Sequence, residues 1–194
     1  MNFEKLIADA DAVTSEFIKY FGNLTDQQFN NKPGQDQWSI AQCMEHIMLV
    51  NESFESIIDA VRQNKYHPAW YSRFAPLSKF FAKTILNSVQ PGNEKKIKTA
   101  VRWQPEMKRP IDDVAMKFVA HQQRLKRMIL QSQDLVNAGL VIHSPASKLI
   151  FYKLEDAFKI LVVHEQRHLQ QAKSLLAFQY AEQLNIPNAT KKLK

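Results

Sequence analysis

The chain has 194 residues and a formal net charge of +7, and 45% of its residues are hydrophobic. This composition excludes a disordered chain and fits one folded domain over residues 1–194, while a count of only four glycines favours helices over sheets. The lone Cys43 excludes an internal disulfide, no apolar stretch approaches the roughly 18 residues of a membrane span, and the N-terminus has no signal-peptide pattern, so we expect a cytoplasmic protein.

Two amphipathic helices are predicted in the first third of the chain. Apolar residues recur at three- and four-residue steps over residues 3–21, and Gly22 ends that pattern. Ser39 and Gln42 have the spacing of a capping box, which predicts the start of a second helix that continues to about residue 61. His46 lies beside the apolar stripe of this helix, so its ring can face the core.

Residues 64–110 interrupt the helical pattern, and we expect a long, partly irregular connection that packs onto the helices. Five of the eight prolines lie here, and a short helix is predicted over about residues 76–86. Ten lysines and arginines stand against two acids, a balance of +8 that would favour an anionic ligand if the segment covered a functional site. A solvated basic face is the plainer alternative. The aromatic residues of the connection are expected to form a hydrophobic cover; they are Trp70, Tyr71, Phe80, Phe81 and Trp103.

Two further helices are predicted in the second half of the chain. One spans roughly residues 111–133, with Asp112 and Asp113 in its first turn, where acidic side chains interact favourably with the helix dipole. The last runs from about residue 152 to residue 184 and has one broad apolar face. Four long amphipathic helices with one long crossover predict an all-α four-helix bundle with a partly irregular connection between its second and third helices.

The strongest chemical feature is the pair formed by His164 and His168 in the last helix. Residues four apart lie on one face of an α-helix, roughly 6 Å apart along its axis, so the two imidazoles can share one metal ion. His46 is the candidate third ligand. Three neutral histidines around one divalent ion leave coordination positions open, which is typical of catalytic rather than structural sites. From the spacing alone, a pair of ordinary hydrogen-bonded helix histidines explains the sequence equally well.

Three segments of the sequence resemble the DinB-like superfamily, the damage-inducible group of metal-binding four-helix bundle proteins. Residues 33–40 read PGQDQWSI and are followed by His46, as in the Trp-Ser…His segment of that family. Residues 164–171 read HEQRHLQQ, which is similar to its final-helix His-x-x-x-His followed by Gln, and residues 143–145 resemble a loop often found before that helix. The resemblance covers most of the chain, with the connection over residues 64–110 as the exception.

The resemblance implies a divalent metal, Zn or Ni most often, held by His46, His164 and His168. Some members of the family transfer thiol cofactors such as bacillithiol, mycothiol or glutathione, and related bundles often form homodimers. We therefore expect a metal-dependent S-transferase or a small-molecule hydrolase acting on a small, anionic substrate. The alternatives are a non-catalytic metal-binding or interaction bundle and a nucleic-acid binder, which is less favoured because the basic residues are not arrayed along one helix.

The sequence from His164 to His168 is also HExxH, the signature of zinc peptidases, in which Glu165 would be the general base. That class needs a further ligand, and Glu182 would lie roughly 20 Å along the same predicted helix, too far to close the site. Glu165 is therefore a weak catalytic candidate, and an ion pair with a neighbouring lysine or arginine is slightly favoured. His121 is a second weak candidate, as a fourth ligand or a base, although a buried hydrogen-bonded histidine is the favoured interpretation.

Overall fold

The computed structural model describes residues 2–93 and 98–184. In chain order the described helices are α1 (Phe3–Phe21), α2 (Asp26–Asn30), α3 (Ile40–Arg62), α4 (Ala75–Ser88), α5 (Val114–Gln131), α6 (Gln133–Asn137) and α7 (Leu154–Gln183). An antiparallel hairpin of β1 (Val141–Ser144) and β2 (Ser147–Lys153) precedes α7, and 3-10 turns form at Trp70–Arg73 and Val101–Trp103. The long helices α1, α3, α5 and α7 pack together, which confirms the predicted all-α four-helix bundle.

The start of α3 follows from local sequence. The Ser39 side chain accepts a hydrogen bond from the backbone N–H of Gln42, and the Gln42 side chain accepts one from the backbone N–H of Ser39. This reciprocal pairing satisfies two N–H groups that the helix itself leaves without a partner. The predicted capping box is therefore confirmed, and it fixes the point from which His46, two turns into the helix, is presented to the core.

The third long helix begins later than predicted. Asp113 has a φ of 56°, in the left-handed region, so the backbone cannot be helical at that residue. Asp112 and Asp113 consequently precede α5 instead of lying in its first turn, and the Asp113 side chain makes no capping hydrogen bond. The predicted helix over residues 111–133 shortens to Val114–Gln131 because this backbone conformation delays its start and Ser132 separates it from α6.

The short helix predicted over about residues 76–86 of the connection is confirmed as α4, which is longer by one residue at its start and two at its end. Phe81 packs against Phe151 of β2 with ring centroids 5.4 Å apart, and the indole N–H of Trp103 donates to Oγ of Ser53 in α3. The expected aromatic cover is wrong for Trp70 and Phe80, whose side chains are 85% and 61% exposed. The basic residues at 95 and 96 lie outside the described residues.

The hairpin before α7 was not predicted from the sequence. Its strands are short, and its stability depends on distant partners: Phe151 and Tyr152 of β2 are buried, and Arg102 donates to the carbonyl oxygen of Pro145 across 2.6 Å. The backbone N–H of Leu154 then donates to the carbonyl oxygen of Leu140, at the point where the hairpin passes into α7. The hairpin therefore fixes the first residue of the helix that carries two of the three candidate ligands.

The apolar core of the bundle is divided into two clusters, one toward each end of the long helices. In α3, residues 40–47 belong to one cluster and residues 50–58 to the other, and α7 divides in the same way between residues 162 and 169. A layer of buried polar side chains occupies the levels between the clusters. Its members are His46, Asn51, His121, Gln122, Glu165 and His168. Within the described residues, no helix has both the length and the apolar character needed to cross a membrane.

Candidate metal centre

Three histidines from two helices converge in the buried polar layer. Nε2 of His164 lies 3.3 Å from Nε2 of His46 and 3.0 Å from Nε2 of His168. The three candidate ligand atoms all lie within 4.8 Å of one another. His46 and His168 are buried and His164 is partly buried. The structure thus brings residues from α3 and α7, 118 positions apart in sequence, to a single point.

The spacing of these nitrogens fits a shared metal ion. Two nitrogens bound to one ion at 2.0–2.1 Å, at tetrahedral or octahedral angles, are about 2.8–3.4 Å apart. Both short Nε2–Nε2 distances, 3.0 Å and 3.3 Å, fall in that range. The group also contains three histidines and no carboxylate or thiolate among the described residues, a neutral donor set that is typical of catalytic zinc sites.

Hydrogen bonds on the far side of two rings orient their nitrogens. Nδ1 of His46 donates to the carbonyl oxygen of Trp103 across 2.7 Å, and Nδ1 of His168 donates to Oε1 of Gln171 across 2.9 Å. A neutral imidazole that donates from Nδ1 keeps its lone pair on Nε2. Both rings therefore direct lone pairs at the point where the three histidines meet.

The electrostatic surroundings keep all three rings neutral. Burial lowers the pKa of His46, and burial together with the neighbouring imidazoles lowers the pKa of His164 well below its usual value. Burial, and then the proximity of His46, lowers the pKa of His168 to about 3. Because only the neutral ring can bind a metal, the site is prepared for coordination throughout the neutral pH range.

Aromatic side chains and the connection cover the histidines. The Trp38 ring centroid lies 4.9 Å from that of His46 and 6.1 Å from that of His168. Nε2 of Gln42 donates to the carbonyl oxygen of Glu106, so the end of the connection lies along α3 beside His46. Sequence reasoning missed Trp103 and Gln171 as partners of the rings. The spacing of Gln171, three residues after His168 on one helix, could have indicated it, whereas no sequence pattern pointed to Trp103.

Glu165 does not form the expected ion pair with a lysine or arginine. Its side chain is fully buried, and Oε1 accepts hydrogen bonds from Nδ2 of Asn51 at 2.7 Å and from Nε2 of Gln122 at 2.8 Å. Burial raises the pKa of this carboxyl to about 7, and the two amides partly offset the shift. The prediction was wrong because residue 165 lies about 100° around the helix from His164 and faces α3 and α5, where amides are available.

The peptidase interpretation of HExxH fails on this geometry. The Glu165 carboxylate is fully buried inside the bundle, and its Oε1 is engaged with two amides of α3 and α5, so it is not placed to activate a water on a metal held by the histidines. The α7 helix continues unbroken to Gln183, so Glu182 lies on the same helix, roughly 20 Å beyond His168. Neither acidic residue is placed to act as a peptidase would require.

His121 and Cys43 lie outside the group of three histidines. Nε2 of His121 lies 3.1 Å from Nδ2 of Asn51, and its Nδ1 lies 3.3 Å from a guanidinium nitrogen of Arg124. The structure therefore shows the favoured buried, hydrogen-bonded histidine, and burial lowers its pKa to about 4. Cys43 is fully buried, and this burial raises the pKa of its thiol to about 12, so it packs as a small apolar residue.

Comparisons with known proteins agree with this architecture. No curated protein matches the chain. Among solved structures it is similar to YfiT from Bacillus subtilis, with 16% sequence identity, a TM-score of 0.54, and coverage of 94% of this chain and 87% of that one. YfiT is described as a probable metal-dependent hydrolase with an unusual four-helix bundle topology, and at this identity the likeness shows a shared fold. The model of the DinB superfamily matches residues 10–172, a span that includes all three histidines, and the chain therefore belongs to the DinB superfamily.

Proposed function

We propose that this chain is a divalent-metal-dependent enzyme acting on small molecules, with His46, His164 and His168 as the metal ligands. The convergence of three Nε2 atoms at metal-binding distances carries the proposal. Membership of the DinB superfamily and the similarity to YfiT, a probable metal-dependent hydrolase, support it. A divalent ion held here would supply Lewis-acid chemistry, which polarises an electrophile and lowers the pKa of water or of a thiol.

The residues of the chain would prepare the site in three ways. Neutral imidazoles supply the lone pairs, and burial prevents protons from competing for them. The carbonyl oxygen of Trp103 and the amide of Gln171 hold two of the rings in orientation. The Trp38 indole covers one side of His46 and limits the access of water.

The metal content of purified protein and of two matched variants tests the ligand assignment. Replacing His168 by Ala removes a ligand and should sharply lower the amount of Zn or Ni that copurifies. Replacing His67, an exposed histidine of the connection, should leave the metal content unchanged. Equal metal content in wild type and His168→Ala would contradict the proposal, and elemental analysis of the wild type would also identify the metal.

Two reaction classes follow from this chemistry, and the hydrolase is the first candidate because of the likeness to YfiT. A thiol-cofactor S-transferase is the second. The chain's own thiol cannot be the nucleophile, since burial raises the pKa of Cys43 to about 12. A transferase would therefore need an external thiol such as glutathione, bacillithiol or mycothiol. Assaying the metal-loaded protein with small esters and amides, and separately with thiols plus an electrophile, distinguishes the two.

A basic depression beside α7 supports an anionic substrate or thiol cofactor. A cavity of about 230 Å³ lies between α4 and α7, lined by Lys79, Lys83 and Lys159 over an apolar floor that includes Ile160. Asp156 pairs with Lys159 at 3.2 Å, and no other described residue offers a carboxylate within 4 Å of these lysines. Ile160 is one helical turn before His164, so this net positive charge lies about one turn of α7 from the candidate metal centre.

A non-catalytic bundle is the alternative. A structural zinc site has four protein ligands and resists exchange, whereas a catalytic site has three and keeps a position open for substrate. Among the described residues the group has three members. If metal-loaded protein shows no turnover with either set of substrates, and removal of the metal instead unfolds the chain, the structural role would be the better explanation.

A further inference from the structure

The three histidines are not held in the same way. His46 and His168 each have an Nδ1 hydrogen bond that fixes the orientation of the ring, to Trp103 and Gln171 respectively. Nδ1 of His164 is buried and has no hydrogen-bond partner among the described residues. The ring of a metal-ligating histidine is normally held in orientation by a hydrogen bond at the nitrogen that does not bind the metal. The orientation of His164 must therefore come from elsewhere.

Glu165, the residue after His164, is held in place by hydrogen bonds from other helices. Glu165 is fully buried, and its Oε1 accepts from Asn51 of α3 at 2.7 Å and from Gln122 of α5 at 2.8 Å. These two bonds tie α7 to its neighbour α3 and, across the core, to α5. Because adjacent helical residues are separated by about 100°, holding the side chain at 165 fixes the local backbone of α7 and so the direction in which residue 164 points.

Stability does not explain these polar groups. Oε2 of Glu165, Oδ1 of Asn51 and Oε1 of Gln122 are all buried without a hydrogen-bond partner among the described residues. Buried polar atoms without partners lower stability, and replacement of such a group by apolar residues of similar volume is often neutral or stabilising. Glu165 therefore lowers the stability of the fold and is next in sequence to a candidate ligand, which indicates that it serves the site.

We propose that Glu165, held by Asn51 and Gln122, is a positioning residue that fixes the backbone of α7 at this one level and so aims His164 at His46 and His168. This role rests on the proposed function, in which the three histidines bind a metal. Glu165 acts through His164 and touches neither substrate nor metal. The two hydrogen bonds to its oxygen, and not the charge of the carboxylate, carry the positioning.

Two variants of Glu165 and one matched control test the role, with Zn²⁺ affinity measured by chelator competition. Glu165→Met keeps the length and removes the acceptor, so affinity should fall 10- to 100-fold, the usual effect of losing a partner of a metal ligand. Glu165→Gln retains an oxygen that can accept both hydrogen bonds and should stay within about threefold of wild type. Gln179→Met is the control, because Gln179 is another buried α7 side chain that bonds to carbonyl oxygens of Gln28 and Asn31, at the far end of the helix. It should lower stability without changing affinity.

A double-mutant cycle separates positioning from a general loss of structure. If Glu165 acts through His164, adding Glu165→Met to His164→Ala should cause little further loss of Zn²⁺ affinity. Adding it to His168→Ala should still cause a loss, because His164 remains to be misplaced. Additive effects in the first pair, or Gln179→Met weakening affinity as much as Glu165→Met, would overturn the proposal. So would a Glu165→Gln variant that binds as weakly as Glu165→Met, since charge would then be the cause.

A measurement on the metal-free protein tests the orientation of His164 separately from the proposed function. In the metal-free protein, NMR should show contacts between the ring protons of His164 and those of both other histidines. Glu165→Met should lose the contacts of His164 and keep those between His46 and His168, whose centroids are 4.7 Å apart. If the wild type binds no metal, the proposed function fails and these contacts still decide the positioning. Unchanged His164 contacts in Glu165→Met would refute it.

Discussion

Nδ1 of His46 donates a hydrogen bond to the carbonyl oxygen of Trp103 across 2.7 Å, joining a candidate metal ligand to a residue 57 positions away in the basic connection. The Trp103 indole N–H in turn donates to Oγ of Ser53, on the same helix as His46 and two turns further along. Trp103 thus anchors the connection to α3 at two levels, and one of its two hydrogen bonds sets the tautomer of a candidate metal ligand. The connection therefore helps to orient His46, in addition to carrying positive charge.

Trp103→Ala should therefore weaken metal binding without touching any ligand. Loss of the indole releases the turn that carries the carbonyl oxygen, and His46 loses the bond that orients it. We expect the dissociation constant for Zn²⁺ to rise by about 10-fold, as for other partners of ligating histidines. Trp70→Ala is the control, because that indole belongs to the same connection and is 85% exposed. Equal affinity in both variants would show that the turn does not orient His46.

The stability of the fold should fall on acidification in a way that depends on His121. Burial lowers the pKa of His121 to about 4 in the folded chain, below the usual value of 6.5, so the unfolded chain takes up a proton first. The groups facing His121 are Arg124 on its own helix and Glu52 and Glu55 on α3. Between pH 6.5 and 4 the free energy of unfolding should decrease by about 3 kcal/mol from this residue, and the loss should level off below pH 4.

Urea denaturation of wild type and His121→Gln across pH 4 to pH 7.5 measures this contribution. Gln retains polar atoms and cannot titrate, so the variant should lose less stability than wild type as the pH falls. The difference between the two curves cancels the contributions of other groups. A constant difference across this range would mean that His121 is protonated equally easily in the folded and unfolded chain.

Cys43 should be inert in the folded protein. Its thiol is fully buried and its pKa is raised to about 12, so almost no thiolate forms near neutral pH. Iodoacetamide should modify it only after unfolding, and Cys43→Ala should keep both metal content and turnover despite being one turn from His46. Rapid alkylation of the native protein, followed by mass spectrometry, would contradict the burial and reopen a role for the thiol.

The depression between α4 and α7 should affect substrate binding more than turnover. Lys83→Gln removes one of three cations around the cavity, so the KM for an anionic substrate should rise severalfold with kcat nearly unchanged. The KM of the wild type should also rise with ionic strength more steeply than that of the variant. Lys148→Gln, an exposed lysine in the hairpin, is the control. Identical salt dependence in wild type and Lys83→Gln would indicate that this surface is merely solvated.

Local sequence alone determined the helices and one part of the site. The capping box of Ser39 and Gln42 and the apolar periodicity depend on residues within a turn or two of each other, so their pattern can be seen along the chain. The same holds for His164 and His168, which share a face because they are four apart. The late start of α5 could not be predicted in this way, because the residue type of Asp113 does not by itself indicate a positive φ.

Tertiary structure decided which side chains meet between helices. The contacts that build the site join residues 43 to 118 positions apart in sequence. His46 lies against His164, and Glu165 accepts hydrogen bonds from Asn51 and Gln122 instead of pairing with a lysine or arginine. The carbonyl oxygen of Trp103 accepts a hydrogen bond from His46. Each contact depends on how the helices are rotated and how closely they pack. That packing arises from the burial of many apolar side chains together, so no single position in the sequence reveals it. The sequence by itself therefore determined the fold class, the candidate metal-binding pair on α7 and His46 as the candidate third ligand, and only the packed bundle decided that the three rings meet and which residues hold them in place.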